Sequence, residues 1–354
     1  MEPGLRAAPS GAFRYRQGEL YCEAVPLREI VRTVGTPAYV YSAQGVVSRY
    51  RAFDRALGTY PHMICYSVKA NGNLHLLRLL ARQGSGFDIV SGGELYRVLE
   101  AGGKPSRVVF SGVGKTVEEL DYALRSDILL FNCESESELR LLGERAARQR
   151  KQARAALRVN PHVEARTHPH ISTGLREHKF GIEMAAAERL YREAWQWPGL
   201  RLAGLSCHIG SQIFDLRPIE QAARKLVALA GRLQKAGLSA EYLDLGGGLG
   251  VAYRAGERPP SIAAYARRIL RAVRGSGSTL LLEPGRALVA ESGVLVTRVI
   301  RTKATGRKNF VVVDAAMNDL IRPSLYDAYH EIRPVVRRRR AEVVADIVGP
   351  VCET

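Results

Sequence analysis

The sequence predicts an α/β fold in which a (β/α)8 barrel is joined to a smaller β-rich domain built from both ends of the chain. The prediction of a barrel rests on one observation, that eight short apolar runs alternate with amphipathic helical stretches. Such alternation indicates βαβ units and a parallel sheet, and eight units within about 250 residues are typical of a closed barrel. The β-rich domain rests on a second observation, since the two ends of the chain lack this alternation.

The predicted barrel strands are almost continuously apolar, which favours a sheet that is buried on both faces. In chain order they are residues 62–70, 86–92, 107–112, 128–134, 153–161, 201–210, 241–248 and 279–286. Leucine stripes at helical spacing mark helices between them, over residues 73–84 and 219–237, and each stripe stops at a glycine. These leucines predict packing of the helices against the barrel.

The pattern at the two ends of the chain is β-rich. Residues 13–41 alternate strand-like pieces with a short helix, and residues 293–313 and 333–351 have no helix between paired strands. We therefore predict an N-terminal part of a β domain over residues 1–40, a barrel over residues 41–286 and a C-terminal part of the β domain over residues 287–354.

The composition is that of an ordinary globular protein, with 354 residues, 46% of them hydrophobic, and a formal net charge of +17. No apolar run is long enough to span a membrane and the N-terminus has no signal-peptide pattern, so we expect a cytoplasmic protein without membrane contact. The basic residues are scattered and no nucleic-acid-binding motif accompanies them, which favours a solvated arginine-rich surface. The five cysteines are widely spaced and predict reduced thiols, without a metal site.

Polar residues follow the predicted barrel strands at their carboxyl ends, where the active sites of this fold lie. They are Lys69, Asp88, Ser91, Asn132, Asn160, His208, Ser211, Gly246, Gly247, Gly248, Glu283 and Arg286. An amine, glycines that let backbone N–H groups approach an anion, a histidine and a carboxylate together suit pyridoxal phosphate. We expect Lys69 to bind this cofactor covalently, because burial favours loss of the ammonium proton. Glu283 would pair with the protonated ring nitrogen.

Each of these features is weak by itself. A lysine after an apolar run is usually a surface residue. The glycines of residues 246–250 do not form a dinucleotide-binding fingerprint, because Val251 stands where the last glycine belongs. The stretch SGVGKT at residues 111–116 imitates a nucleotide-binding loop, but Val109 occupies the position of its first glycine. Only the combination indicates a cofactor site.

The resemblance to a known family rests on nine stretches that occur in one order. They are GTPAYVY (35–41), YSVKAN (66–71), FDIVSGGEL (87–95), HPHISTGLREHKFGI (168–182), CHIGSQI (207–213), LDLGGGLG (243–250), EPGR (283–286), MNDLIRPSLYDAYHEI (317–332) and GPVCET (349–354). With them the chain resembles the fold-type III pyridoxal-phosphate decarboxylases of the alanine racemase and ornithine decarboxylase superfamily. Within that superfamily it is most similar to the diaminopimelate decarboxylase family.

The resemblance implies a role for each matched residue. The implied cofactor contacts are Lys69, Asp88, His208, Ser211, Gly247, Gly248, Glu283, Pro284, Gly285 and Arg286. The implied substrate contacts are Arg286, Arg322, Tyr326 and Glu353. The implied catalytic residues are Lys69, which holds the cofactor, His208, which stacks on its ring, and Cys352, which protonates the product carbon. In the family Cys352 and Glu353 come from the neighbouring subunit, which implies a homodimer with shared active sites.

The implied reaction is the decarboxylation of meso-2,6-diaminopimelate to L-lysine and CO2, the last step of lysine biosynthesis. The guanidinium groups of Arg286 and Arg322 are our candidates for binding the distal carboxylate of this small amino acid. Two alternatives stay open: a related decarboxylase for ornithine, arginine or carboxynorspermidine, and a pyridoxal-phosphate barrel that binds without turnover. The stretch at residues 322–332 argues against the first. Because the family sequences continue beyond the C-E-[ST] element, we expect the C-terminal part of the β domain to be incomplete.

Overall fold

The computed structural model describes residues 11–164, 179–338 and 343–352, which form two compact units. The barrel unit comprises Val47–Val251 and Pro259–Leu288. The β unit combines both ends of the chain, up to Val46 and from Val289 onward, with Ala252–Arg258. The domain bounds given above, at residues 40 and 286, remain a prediction.

The strands of the described residues fall into both units. In chain order they are β1 (Phe13–Arg16), β2 (Glu19–Cys22), β3 (Val25–Pro26), β4 (Ala38–Tyr41), β5 (His62–Ser67), β6 (Gly86–Ile89), β7 (Val108–Phe110), β8 (Leu130–Cys133), β9 (Ala153–Asn160), β10 (Ile182–Glu183), β11 (Leu200–Ser206), β12 (Tyr242–Asp244), β13 (Thr279–Leu282), β14 (Gly293–Val296), β15 (Val299–Thr305), β16 (Lys308–Val313) and β17 (Asp346–Val348). The strands predicted for the barrel are β5 to β9 and β11 to β13, so each predicted run contains one.

The helices of the described residues lie mostly between the barrel strands. They are α1 (Leu27–Val34), α2 (Ala43–Leu57), α3 (Leu74–Arg82), α4 (Gly92–Glu100), α5 (Val117–Arg125), α6 (Glu136–Arg148), α7 (Met184–Ala194), α8 (Arg217–Lys235), α9 (Ile262–Val273), α10 (Arg286–Val289) and α11 (Arg322–Tyr326). Both leucine stripes lie on helices, α3 and α8. Within the described ranges, no helix combines the length and apolarity that a membrane-spanning segment requires.

The barrel is a closed sheet of eight parallel strands in the order β5-β6-β7-β8-β9-β11-β12-β13, with β13 paired back to β5. Every residue of β6, β7 and β8 is buried, as expected for strands covered on both faces. A cluster of buried apolar side chains from the barrel unit forms a hydrophobic core. It consists of Met63, Cys65, Val109, Leu129, Leu130, Ala156, Ala203 and Leu281. The predicted (β/α)8 fold is confirmed.

Side-chain caps start the helices that follow the first four barrel strands. Asn73, Ser91, Thr116 and Ser135 each accept a hydrogen bond from a backbone N–H in the first turn of α3, α4, α5 and α6. Thr116 forms a reciprocal capping box with Glu119. Each cap fixes the direction in which the chain leaves its strand, and so shapes the loops at the carboxyl end of the barrel.

The β unit contains small sheets. The strands β1, β2 and β3 form an antiparallel sheet, β4 pairs with β14, and β16 lies between antiparallel β15 and parallel β17. Because β4 and β14 come from opposite ends of the sequence, both termini build this unit, which confirms the predicted β-rich domain. Its core consists of Ala12, Phe13, Leu20, Cys22, Leu27, Val40 and Val296.

The cysteines divide sharply by exposure. Cys22, Cys65, Cys133 and Cys207 are buried, whereas Cys352 is exposed, and all five are free thiols. Burial raises the pKa of Cys22 to about 11 and that of Cys207 to about 12. It raises the pKa of the other two buried thiols well above the ordinary value. The buried thiols are therefore protonated and unreactive in the folded chain.

Candidate active site

Lys69 lies on a short 3-10 turn directly after β5. Its Nζ donates a hydrogen bond of 2.8 Å to Oδ2 of Asp88, which is on the neighbouring strand β6 and is fully buried. The Lys69 side chain itself is 53% exposed, so the amine is accessible from the carboxyl end of the barrel. Ser67 also donates to Oδ2 of Asp88, over 2.6 Å. Both contacts hold the carboxylate that fixes the amine.

The pKa of Lys69 departs from the sequence-based expectation. Desolvation is the largest single effect on it and lowers it, as burial predicts. The Asp88 carboxylate outweighs desolvation through its charge and its hydrogen bond, so the pKa is raised. Burial thus acts in the expected direction, but the sequence did not reveal how close Asp88 lies to the amine, and the net shift is the opposite one. Lys69 is an ammonium group paired with Asp88.

Glu283 and Asp244 are buried carboxyl groups at the ends of neighbouring strands, β13 and β12, and both contact Nδ2 of Asn132. Burial, followed by the charges of Asp244 and Asp88, raises the pKa of Glu283 well above its ordinary value. Ser111 Oγ donates to Oε1 of Glu283 over 3.2 Å, and Asn132 Nδ2 lies 3.5 Å from the same oxygen. Both side chains thus contact one oxygen of Glu283.

His208 follows β11 and is held in a neutral state. Burial, with smaller effects from the positive charges of Arg158 and Lys69, lowers the pKa of His208 to about 3. The backbone N–H of Gly247 donates to Nδ1 over 3.4 Å, which assigns the ring proton to Nε2. A Cβ on Gly246 would lie only 2.6 Å from Nδ1, so the glycine lets the ring lie against the loop.

The loop after β12 approaches other backbone segments too closely for side chains. A Cβ on Gly247 would lie 2.4 Å from the carbonyl oxygen of Glu283, and one on Gly248 would lie 2.8 Å from that of Gly210. Arg286 Nε donates to Oγ of Ser211 over 3.3 Å. A guanidinium, a hydroxyl and a loop without side chains are the groups that bind phosphate.

The residues of the barrel unit fit pyridoxal phosphate. Lys69 offers an accessible amine and His208 a neutral aromatic ring. Glu283 is a buried carboxyl, and the glycine loop lies so close to neighbouring protein atoms that it has no room for a Cβ at residues 246–248. Pro284 and Gly285 belong to the turn that carries Arg286, where a Cβ on Gly285 would lie 3.0 Å from Cβ of Ser67. The individual assignments are proposed below.

Sequence reasoning missed two polar residues of this region. The side-chain amide of Gln212 donates to the carbonyl of Val251 over 2.6 Å and accepts its N–H over 3.1 Å, which ties Gln212 to the end of the glycine loop. Asp244 accepts the N–H of Gly246 over 2.9 Å. The signal for both lay within stretches already matched to the family, CHIGSQI and LDLGGGLG, where only the neighbouring residues drew attention.

The loop that imitates a nucleotide-binding motif has a structural role. Nζ of Lys115 is buried, with 1% of the side chain exposed, and donates to the carbonyls of Gly112 and Asn132 over 2.7 and 2.8 Å. It also pairs with Oε1 of Glu138 over 2.6 Å. Three acceptors satisfy the three N–H donors of the ammonium. Lys115 therefore joins β7, β8 and α6 and has no donor left for a nucleotide.

The remaining predicted substrate residues belong to the β unit. Arg322 starts α11 and stacks on the ring of Tyr253, with Cζ 4.8 Å from the centroid, while Nη1 donates to the Tyr253 hydroxyl over 3.3 Å. Tyr326 lies on the same helix, with its ring centroid 5.9 Å from that Cζ. Glu353 lies outside the described residues, as do positions 168–178 of one matched stretch. The roles of Arg322, Tyr326, Cys352 and Glu353 stay predictions.

Comparisons of the sequence with known proteins agree with this fold. The family model "Pyridoxal-dependent decarboxylase, pyridoxal binding domain" matches residues 43–290. The chain is 52% identical to diaminopimelate decarboxylase of Vibrio cholerae, over 97% of this chain and 82% of that protein. It is 50% identical to the Pseudomonas aeruginosa enzyme over the same shares.

Solved structures give the same result. The crystal structure of diaminopimelate decarboxylase from Helicobacter pylori complexed with L-lysine matches with a TM-score of 0.89 at 42% identity, over 93% of this chain and 82% of that one. The M. jannaschii enzyme in complex with L-lysine matches with a TM-score of 0.92 at 34% identity, over 99% of this chain and 83% of that one. From the shared barrel, the ordered motifs and an identity of about half the residues, we conclude that the chain belongs to the diaminopimelate decarboxylase family.

Proposed function

We propose that this protein decarboxylates meso-2,6-diaminopimelate to L-lysine and CO2 with pyridoxal 5'-phosphate, in the last step of lysine biosynthesis. The observation that carries the proposal is the group of residues at the strand ends. Lys69 is paired with Asp88 at 2.8 Å, and a buried Glu283 and a glycine loop without room for side chains complete the group. The relatives that match nearly the whole chain carry the name of this activity.

Each cofactor-binding residue is assigned a part of pyridoxal phosphate. Lys69 binds it covalently, Glu283 pairs with its ring nitrogen and His208 lies against its ring. The phosphate is assigned to Ser211, Gly247, Gly248 and the turn of Pro284, Gly285 and Arg286. When bound, the cofactor supplies an electron sink for the bond that breaks.

The protein side chains orient groups and control charge. Asp88 holds the Lys69 amine through a short charged hydrogen bond and is itself fixed by Ser67. His208 is neutral, so it can lie against an aromatic ring without adding a positive charge. The buried Glu283 provides a charge partner in an environment of low dielectric constant, where such a pairing is strong.

The substrate differs from ornithine by one methylene group and a second carboxylate, and a guanidinium can bind this carboxylate with two hydrogen bonds. We assign this role to Arg286 and Arg322, propose Tyr326 as a further substrate contact and assign the distal ammonium to Glu353. A site built for a carboxylate rejects substrates that lack it, because its buried donors are then left unpaired. Cys352 is assigned the proton transfer to the carbon from which CO2 has left.

We further propose a homodimer whose active sites take Cys352 and Glu353 from the neighbouring subunit. The support is the surface of the β unit, where every residue of β15 is exposed and Val299 and Ile300 are 54% and 49% exposed. These two are the large apolar side chains of the strand, and exposed apolar surface favours a protein contact. A cytoplasmic location is supported by the free thiols, which suit a reducing compartment.

The test is to incubate the purified full chain with pyridoxal phosphate and meso-diaminopimelate and to measure lysine and CO2. Lys69→Ala should abolish turnover and the visible absorption of the bound cofactor. Lys104→Ala, at an exposed lysine of the same unit, should retain both. Faster turnover of ornithine than of meso-diaminopimelate would overturn the proposed substrate. Absence of cofactor absorption in the wild type would overturn the proposed function.

A further inference from the structure

Asp244 is a buried carboxyl group to which the proposed mechanism gives no role. It ends β12 and is 1% exposed. Its Oδ1 accepts the N–H of Gly246 over 2.9 Å and its Oδ2 accepts Nδ2 of Asn132 over 3.0 Å. The same Asn132 Nδ2 lies 3.5 Å from Oε1 of Glu283, so the two buried carboxyl groups meet at one amide nitrogen. Two carboxyl groups this close in a buried site do not both ionise, so one of them retains a proton.

The hydrogen bonds indicate which carboxyl group carries the proton. Asp244 accepts two N–H donors at 2.9 and 3.0 Å, which stabilise its anion. Glu283 accepts weaker contacts, from Ser111 at 3.2 Å and from Asn132 at 3.5 Å. Burial and the charge of Asp244 also raise the pKa of Glu283 well above its ordinary value. The proton therefore belongs to Glu283.

The pair of Asp244 and Glu283 keeps one proton, because the nearby cations are paired with other carboxylates. Lys69 is paired with Asp88, and Arg158 donates to Glu134 over 2.7 Å, so these two cations serve other carboxylates. Further titratable groups face this part of the barrel. They are His208, Cys65, Cys207 and Tyr265. All four are neutral at physiological pH, because burial disfavours their charged forms.

We propose that Asp244 and Glu283 store one proton between them, with Asn132 holding Asp244 in place, and that Glu283 gives this proton to the ring nitrogen of pyridoxal phosphate on binding. The inference rests on the proposed function for the identity of the cofactor. The O–H bond of Glu283 breaks and an N–H bond forms, while Asp244 stays ionised throughout. Asp244 is thus a positioning residue that acts through Glu283. The site supplies the ring proton itself, without taking one from solvent.

The test counts protons when pyridoxal phosphate binds to the full-length apoprotein. Calorimetric titrations in two buffers of different ionisation enthalpy give the net proton exchange for the wild type, Glu283→Gln and Asp244→Asn. Protons exchanged by Lys69 and by the free cofactor are common to all three and cancel in the differences. Glu283→Gln cannot protonate the ring, and its neutral amide mimics the protonated Glu283.

If the pair stores a proton, the wild type and Glu283→Gln exchange the same number of protons. Asp244→Asn should take up about one proton more per chain, because removing the neighbouring negative charge leaves Glu283 ionised before binding. A wild type that takes up about one proton more than Glu283→Gln would overturn the proposal. So would an Asp244→Asn variant that matches the wild type while its thermal unfolding shows that it is folded.

A measurement without cofactor separates this inference from the proposed function. In the unfolded chain Glu283 loses its proton above about pH 4.3, while the folded chain retains it. Stability of the wild-type apoprotein should therefore fall relative to Glu283→Gln as pH rises above this value. Parallel stability curves would overturn the stored proton. If the stability curves diverge but the chain does not bind pyridoxal phosphate, the stored proton would be confirmed, and both the cofactor assignment and the proton transfer would be overturned.

Discussion

Replacing Lys115 by methionine tests the structural role of the buried lysine in the loop that resembles a nucleotide-binding motif. Lys115 is 1% exposed and its three acceptors lie at 2.6 to 2.8 Å. Its partner Glu138 is only 11% exposed, so Lys115→Met leaves a poorly solvated negative charge without its cation. Breaking a buried ion pair from one side destabilises a protein by about 3 to 5 kcal/mol. We expect a loss of this size in the barrel unit.

The assay is equilibrium unfolding in urea, with the free energy of unfolding extrapolated to water. Adding Glu138→Gln to Lys115→Met should recover about 1 to 2 kcal/mol, because the unpaired charge is removed while an amide oxygen remains for the N–H of Glu134. Lys308→Met is the matched control, since Lys308 pairs with Asp346 on the surface, where 64% and 50% of the side chains are exposed. It should lose less than about 1 kcal/mol.

Equal losses in Lys115→Met and Lys308→Met would refute this reasoning, since burial would then make no difference. Stabilisation of the wild type by a nucleotide would refute it as well, because the ammonium would have to be available for a phosphate.

The other predictions concern the site and the loops around it. Because the pKa of His208 falls from 6.5 to about 3, the unfolded chain binds the extra proton between these values, so His208 should lower the stability of the wild type relative to His208→Gln by about 1.4 kcal/mol per pH unit as pH falls through this window. His208→Gln should remove that slope in urea unfolding at pH 5 and 7, and an unchanged slope would contradict the neutral ring. Gly246→Ala should weaken binding of pyridoxal phosphate in a fluorescence titration, because its Cβ would lie 2.6 Å from His208. Gly237→Ala is the control, since Gly237 also has a positive φ but faces open space. It should cost about 1 kcal/mol of stability and leave binding unchanged. Equal binding by the two alanine variants would disprove the steric reason. Arg322→Lys should raise KM for meso-diaminopimelate about tenfold or more in steady-state kinetics, since a lysine cannot form two parallel hydrogen bonds to a carboxylate. An unchanged KM would exclude Arg322 from binding the substrate.

The fold could be predicted because its signal is periodic and local. Each barrel strand is a short apolar run that is buried on both faces, and each helix carries a stripe that packs on it, so neighbouring residues hold the information. Lys69 could be singled out for the same reason, as a lysine at the end of such a run. Its chemistry followed from the combination with Glu283 and the glycines of the loop after β12.

Electrostatics could not be predicted, because it depends on residues that only the closed barrel brings together. Asp88 is 19 residues from Lys69 in the sequence, yet it reverses the expected direction of the Lys69 pKa. Asp244 and Glu283 meet at the side-chain amide of Asn132, which lies on a third strand, and neither residue's local sequence suggests a shared proton. Lys115 likewise needed three contacts from separate elements before its structural role became clear.

Because four of the five cysteines are buried, the folded chain has one accessible thiol. A maleimide dye or spin label should react once per chain, at Cys352, because the other four thiols are buried and protonated. Labelling should also abolish turnover, because the proposed mechanism assigns Cys352 the proton transfer in the active site of the neighbouring subunit. The number of labels per chain would also measure unfolding, because it should rise from one towards five as the buried thiols become exposed.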